Sequence, residues 1–371
     1  MLPSHARAIS VDDHIIEPPH LWHSRLPERL RDAGPRVVEL DDGSEAWAYE
    51  DQIIRTTRGN TRTADGFDDN PHGVARFSEM RPGCYDPVQR LADMDLDGVW
   101  AQVNFPDFCR FAGHRFLAGA DKELSLLCVQ AYNDFAVEEW CAADPQRLAA
   151  VGILPLWDVP AAVSEVQRIA GSGIAAIAFS ENPTTLGLPS VYTDHWDPLW
   201  AAIAETGLPV CLHIGSSSKL LSSSPDAPAP VALTFVGANS MMACADWLFS
   251  GVLERFPPLR VAFSEGGAGW VPYVLERADE VFTELGDVLA ATRPPRELFA
   301  EHMHVCIMRD DVALGALDLI GEDNIMWEAD YPHESGTFPN SRAILERSLA
   351  DVPDHRAIKV AETNARRLFN L

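Results

Sequence analysis

The chain has 371 residues, of which 47% are hydrophobic and 23% charged, with a formal net charge of −26. That length suits either two average domains or one large α/β barrel, with an ample core in both cases. An acidic surplus of this size argues against nucleic-acid and anionic-membrane partners, whose phosphates it would repel, and no apolar run of about 18 residues is present to span a bilayer.

Seven cysteines (84, 109, 128, 141, 211, 244 and 306) form no C-x-x-C pair and sit mostly in apolar runs, as reduced thiols in a cytoplasmic protein would. Lysine is nearly absent, only Lys122, Lys219 and Lys359, so the basic residues are almost all arginine.

In chain order, Arg7 to Val11 reads as a first strand that breaks into Asp12-Asp13-His14 and then Glu17-Pro18. Asp12 and His14 are two apart, so strand alternation points both the same way, with Glu17 just beyond; this is a metal-ligand pattern. Next, Arg36 to Tyr49 reads as a hairpin or small meander around Asp41-Asp42-Gly43-Ser44, and Thr56 to Gly83 as a long polar loop. We expect the whole stretch from about 22 to 84 to be an insertion over a barrel mouth.

From Asp86 the chain alternates. Strands are expected at Gly98 to Asn104, Leu148 to Leu154, Gly173 to Phe179, Leu208 to Ile214, Leu259 to Phe263, His302 to Ile307 and Ile325 to Ala329. Helices are expected between them, at Asp86 to Met94, Asp121 to Ala142, Pro160 to Ala170, Asp197 to Thr206, Thr234 to Arg255, Trp270 to Leu285 and Asp311 to Ile320. Two closing helices fall within about 341 to 369. Eight short apolar strands, each followed by a helix, are the signature of a single (β/α)8 TIM barrel over residues 1–371. An open doubly wound sheet is the second choice, but no glycine-rich fingerprint follows the first strand.

Strand ends of such a barrel converge on one mouth. Polar residues interrupt them at Asp12, His14 and Glu17, at Asn104, at Glu181, at His213, at Glu265, at Arg309 and Asp310, and at Asp330 and His333. Three imidazoles and up to six carboxylates at one mouth are costly to bury unless cations compensate them.

The order Asp12-x-His14-x-x-Glu17-Pro18, the lone His213 and Ala329-Asp330-Tyr331-Pro332-His333 together resemble the amidohydrolase-related barrels of the aminocarboxymuconate-semialdehyde decarboxylase type. The resemblance implies metal ligation by Asp12, His14, His213 and Asp330. Two departures stand out. Many members carry His-x-His where this chain has Asp12-x-His14, and many decarboxylases carry a histidine where this chain has Glu265 in Ser-Glu-Gly-Gly-Ala-Gly-Trp.

That carboxylate-rich variant resembles the non-haem diiron monooxygenases of diterpenoid biosynthesis. It implies two iron ions, with zinc or manganese as alternatives, held by Asp12, His14, Glu17, His213, Glu265, Asp330 and His333. Glu265 and Asp330 would be catalytic, and Glu17 and His333 would complete or orient the second ion. The expected activity is O2-dependent hydroxylation of a bulky acyl substrate, such as a CoA thioester, with an electron donor and a homodimeric state. The substrate channel is expected from Trp22 to Cys84 and Gly215 to Pro230. The alternative is a hydrolase or decarboxylase on the same scaffold, acting on a small carboxylate, ester or amide.

Overall fold

In the computed structural model of the protein, which describes residues 2–3, 5–55, 74–217, 219–286 and 292–371, the first strand runs further than its apolar residues suggest. β1 spans Ala8–Ile15 and is buried throughout, so Asp12, Asp13 and His14 lie within it rather than beyond its end. Backbone hydrogen bonding carries the strand through three polar residues that would otherwise end it.

The antiparallel meander follows as β2 (Arg36–Glu39), β3 (Glu45–Tyr49) and β4 (Gln52–Ile54). The expected loop over 56–73 lies outside the described residues. Trp22, fully buried, meets Trp47 of β3 edge-on at 5.3 Å, and Phe108 at 5.1 Å.

The remaining strands are β5 (Val99–Pro106), β6 (Leu148–Gly152), β7 (Ile174–Phe179), β8 (Val210–His213), β9 (Val261–Ser264), β10 (Met303–Ile307) and β11 (Ile325–Trp327). With β1 they form one eight-stranded sheet in the order β1, β5, β6, β7, β8, β9, β10, β11, every pairing parallel. The chain is a (β/α)8 barrel. Strands buried on both faces need continuous apolar runs, and Ile174-Ala175-Ala176-Ile177-Ala178-Phe179 supplies one. Aspartates start the helices: Asp86, Asp121, Asp158 and Asp310 each accept from a backbone N–H in the first turn.

The stretch Thr234 to Arg255 is not one helix. It divides into Ala229–Thr234, Ala238–Phe249 and Val252–Arg255, with Gly251 in the left-handed region (φ 70°) between the last two. No described helix is long and apolar enough to cross a membrane.

Closure decides where the site forms. The last strand is regular only to Trp327, and the seam with β1 is sewn beyond it: Asp330 N donates to Asp12 O at 2.9 Å, and His14 N to Tyr331 O at 2.6 Å. Side chains reinforce it, Ser10 Oγ accepting from Ala329 N (2.7 Å) and Asp13 Oδ1 from Tyr331 N (2.9 Å). β1 also takes one extra residue between Ser10 and Asp13 relative to β5, a bulge of the kind that re-aims side chains at barrel rims.

Arg90 pins the same corner from below. Fully buried, it donates to Gly83 O, Gln102 Oε1, Asn104 Oδ1 and His14 O, all within 2.9 Å. Asn104, a strand-end candidate, is therefore spent on this arginine. Arg90→Leu is expected to lower unfolding stability by about 3 kcal/mol or more, because it strands four buried acceptors; urea melts with an unchanged midpoint would refute this.

Candidate metal centre

Six of the seven expected metal-site residues gather at the barrel mouth: Asp12, His14, His213, Glu265, Asp330 and His333. His213 ends β8 with Nδ1 2.6 Å from Ile214 O. A carbonyl only accepts, so Nδ1 carries the proton and the bare Nε2 faces inward. That Nε2 lies 3.3 Å from Asp12 Oδ2 and 3.6 Å from Glu265 Oε2. From the other side His14 Nε2 lies 3.6 Å from Asp12 Oδ1 and 3.2 Å from Asp330 Oδ1. Phe111 stacks on the His213 ring at 3.9 Å and fixes its plane.

These atoms are buried without partners. Among the described residues, both Asp12 carboxylate oxygens, His14 Nε2 and His213 Nε2 make no hydrogen bond, and all three residues are at most 1% exposed. Orphaned groups of this kind are costly, and here they face one another. Asp12, His14 and His213 each offer an atom within 4.8 Å of the others, as do His14, Asp330 and His333. Burial keeps the His14 imidazole neutral, the form that ligates. The donor set of imidazole and carboxylate fits a divalent cation.

Backbone strain marks the two candidate catalytic acids. Glu265 (φ 58°) and Asp330 (φ 60°) are both left-handed non-glycine residues, a conformation that concentrates at functional sites. Asp330 does not cap a helix. Its Oδ1 meets His333 Nδ1 at 2.5 Å and its Oδ2 accepts from Ser335 Oγ at 3.0 Å. Paired with His333 and His14, Asp330 stays ionised despite burial, while Asp330 above all holds His333 up at about 10 against the effect of burial.

Other candidates lie elsewhere or serve the backbone. Glu17 accepts from Phe108 N (2.7 Å) and Cys109 N (3.1 Å), so both oxygens hold the loop after β5. Glu181 accepts from Gly215 N, Ser217 Oγ and Asn239 Nδ2 and secures the loop after His213. Asp310 takes the amides of Ala268 and Gly269, tying the turn after Glu265 to the end of β10. Arg309 is exposed and reaches Gly336 O at 3.1 Å.

Three participants escaped the sequence reading. Glu328, 2% exposed, accepts from Glu265 N (3.1 Å) and Cys306 Sγ (2.5 Å), and Glu328 and Cys306 group with Asp12. A charge inside the apolar run Ile325 to Ala329 was the available signal for Glu328. Nothing distinguished Cys306 from the other core thiols, or Phe111 from other loop aromatics.

The cavity beside this centre measures about 300 Å3 and is lined by Glu265, Gly267, Met308, Arg309, Asp310, Glu328 and Ser335. It is built by the loops after β9, β10 and β11. Among the described residues, none of the expected channel stretches Trp22 to Cys84 and Gly215 to Pro230 lines it.

The acids predict how the metal-free protein responds to pH. Burial foremost, then neighbouring carboxylates, pushes Glu265 up to about 8; burial and the Asp330 charge push Glu328 up to about 7. Their unfolded values lie near 4.5, so the folded state binds more protons between about 4.5 and 8 and loses stability as pH rises through that window. Chelator-treated protein should therefore melt lower at pH 8 than at pH 5; a Tm that rises across this range would contradict the assignment.

Comparison with known proteins agrees with the fold and corrects the chemistry. The Amidohydrolase family model matches residues 20–371. The chain is 29% identical over 275 residues to gamma-resorcylate decarboxylase of Rhizobium sp. (strain MTP-10005), covering 68% of this chain and 78% of that one. It is 27% identical over 270 residues to 2-amino-3-carboxymuconate-6-semialdehyde decarboxylase of Dictyostelium discoideum, covering 70% of each. A solved structure of 5-carboxyvanillate decarboxylase from Novosphingobium aromaticivorans, complexed with manganese and 4-hydroxy-3-methoxy-5-nitrobenzoic acid, superposes with a TM-score of 0.68 at 15% identity, over 99% of this chain and 97% of that one.

These relatives overturn the expected monooxygenase: they are decarboxylases, and the alternative reading fits them better than O2-dependent hydroxylation of a bulky acyl group. The substitution of Glu265 for a histidine pointed the wrong way because an added carboxylate is compatible with either chemistry. Two iron ions likewise find no support, whereas a manganese or zinc site does. With its match spanning nearly the whole sequence, the chain belongs to the Amidohydrolase family.

Proposed function

We propose that the protein is a metal-dependent decarboxylase of a small carboxylate borne on a conjugated carbon. The observation that carries this reading is the cluster of orphaned, mutually facing ligand atoms of Asp12, His14 and His213, in a chain whose relatives are decarboxylases.

Asp12, His14 and His213 would hold one divalent ion, manganese or zinc, with Asp330 bordering it. When bound, such an ion supplies a Lewis-acid anchor for substrate oxygens. The chain's own groups do the rest. Decarboxylation breaks the bond between the carboxylate carbon and the conjugated carbon, releases CO2, and replaces it with a proton on that carbon. The contact between His333 Nδ1 and Asp330 Oδ1 holds one proton beside the cavity, in a position to deliver it. The His333 side chain is 9% exposed, enough to reload from solvent, while Asp330 is sealed at 0%. Glu265, at 23% exposure, lines the cavity mouth and orients what enters. A cavity of about 300 Å3 suits a single-ring acid and not a thioester of a polycyclic group.

The test is to incubate manganese-loaded protein with a panel of hydroxybenzoic and dienoic acids carrying 13C in the carboxylate, in D2O. Release of 13CO2 with one deuterium at the vacated carbon is expected. Cleavage of esters or amides without CO2 from any acid would replace this reading with hydrolysis.

A further inference from the structure

We infer that the protein has a second binding site, for a small anion bearing carboxylate or phosphate oxygens, in the cavity between the meander and the loop after β5. This cavity measures about 230 Å3 and is lined by Tyr49, Glu50, Gln52, Arg110, His114, Arg115, Ala118 and Gly119, none of which lines the cavity beside the metal centre.

Its cations pack over Phe111 and Phe108 and still have donors to spare for a ligand. In a chain of net charge −26, neither Arg110 nor Arg115 has a carboxylate within ion-pair distance among the described residues, although many other arginines do. Arg115 is anchored by Nε to Phe108 O at 2.8 Å, which leaves its two terminal nitrogens for another acceptor. Arg110 is left-handed (φ 60°), a strained position for a side chain that only lines a cavity.

Between them, His114 is 7% exposed and neither ring nitrogen has a partner among the described residues. A buried imidazole with two orphaned nitrogens demands a donor or acceptor that the described residues do not supply. Two guanidinium groups and an imidazole on one wall match the oxygens of an anion.

The carboxylate in the cavity does not oppose this. Glu50 is turned onto the amides of Ala120 (3.0 Å) and Asp121 (2.8 Å), so its charge is already engaged. The same loop carries Phe111, stacked on His213, and the amides that hold Glu17. Occupancy of this pocket therefore bears on the segment that fixes the metal-centre histidine.

Calorimetric titration with inorganic phosphate and, separately, benzoate tests the site, on both chelator-treated and manganese-loaded protein. One anion should bind in both the metal-free and the metal-loaded form, and which of the two binds tells phosphate from carboxylate. Arg110→Gln and Arg115→Lys should each weaken that binding about tenfold or more, the loss of a charge-assisted contact. Arg309→Gln, at the other cavity, should leave it unchanged, and circular dichroism should match wild type throughout. Binding unaffected by both pocket variants, binding seen only with metal present, or no binding of either anion overturns the inference.

Discussion

Replacing His213 with alanine is expected to cut metal content from about one ion per chain to nearly none, and to lower kcat/KM for CO2 release by about a thousandfold or more. The reason is geometric. His213 Nδ1 is committed to Ile214 O, so Nε2 has a fixed lone pair aimed between Asp12 and Glu265, and no neighbouring nitrogen can take its place. Loss of a group that merely orients a ligand costs 10- to 100-fold in this kind of site, and loss of a ligand itself exceeds that. Elemental analysis separates the two roles, because His333→Gln should keep the metal and lose turnover. A His213→Ala variant that retains a full metal complement would remove His213 from the centre.

The second large effect is on stability, and its sign reverses with the metal. In metal-free protein Asp12 is an uncompensated carboxylate at 0% exposure, its pKa driven up chiefly by burial and then by the charges of Glu328, Asp330 and Asp13. Asp12→Asn keeps the shape and removes the cost of burying an ionisable acid there, so metal-free Asp12→Asn should melt higher than metal-free wild type at neutral pH. Adding manganese at roughly a thousand times its Kd should stabilise wild type by about 4 kcal/mol, and the variant far less, so the order of melting temperatures inverts. If chelated wild type outlasts chelated Asp12→Asn, the carboxylate has a partner other than a cation.

Much of the barrel was legible in the residues. Runs such as Ile174 to Phe179 have no polar face, which only a strand covered on both sides tolerates, and the capping aspartates 86 and 121 mark helix starts by their chemistry. What misled was local. The polar triplet Asp12-Asp13-His14 reads as a strand end because side chains cannot announce that β5 and residues 330–331 will take up their backbone groups. Glu17 reads as a ligand because it follows His14 closely, yet the amides of Phe108 and Cys109, some ninety residues on, claim both its oxygens.

By itself the sequence determined that acids and imidazoles stand at or near the ends of six of the eight buried strands, because burial patterns and spacing are local properties of the chain. Which of those groups meet was decided only by the tertiary structure, through the bulge in β1 and the seam joining Asp12 and His14 to Asp330 and Tyr331. Ligand geometry is set to within an ångström by contacts between residues more than three hundred positions apart, and no local pattern encodes distances of that kind.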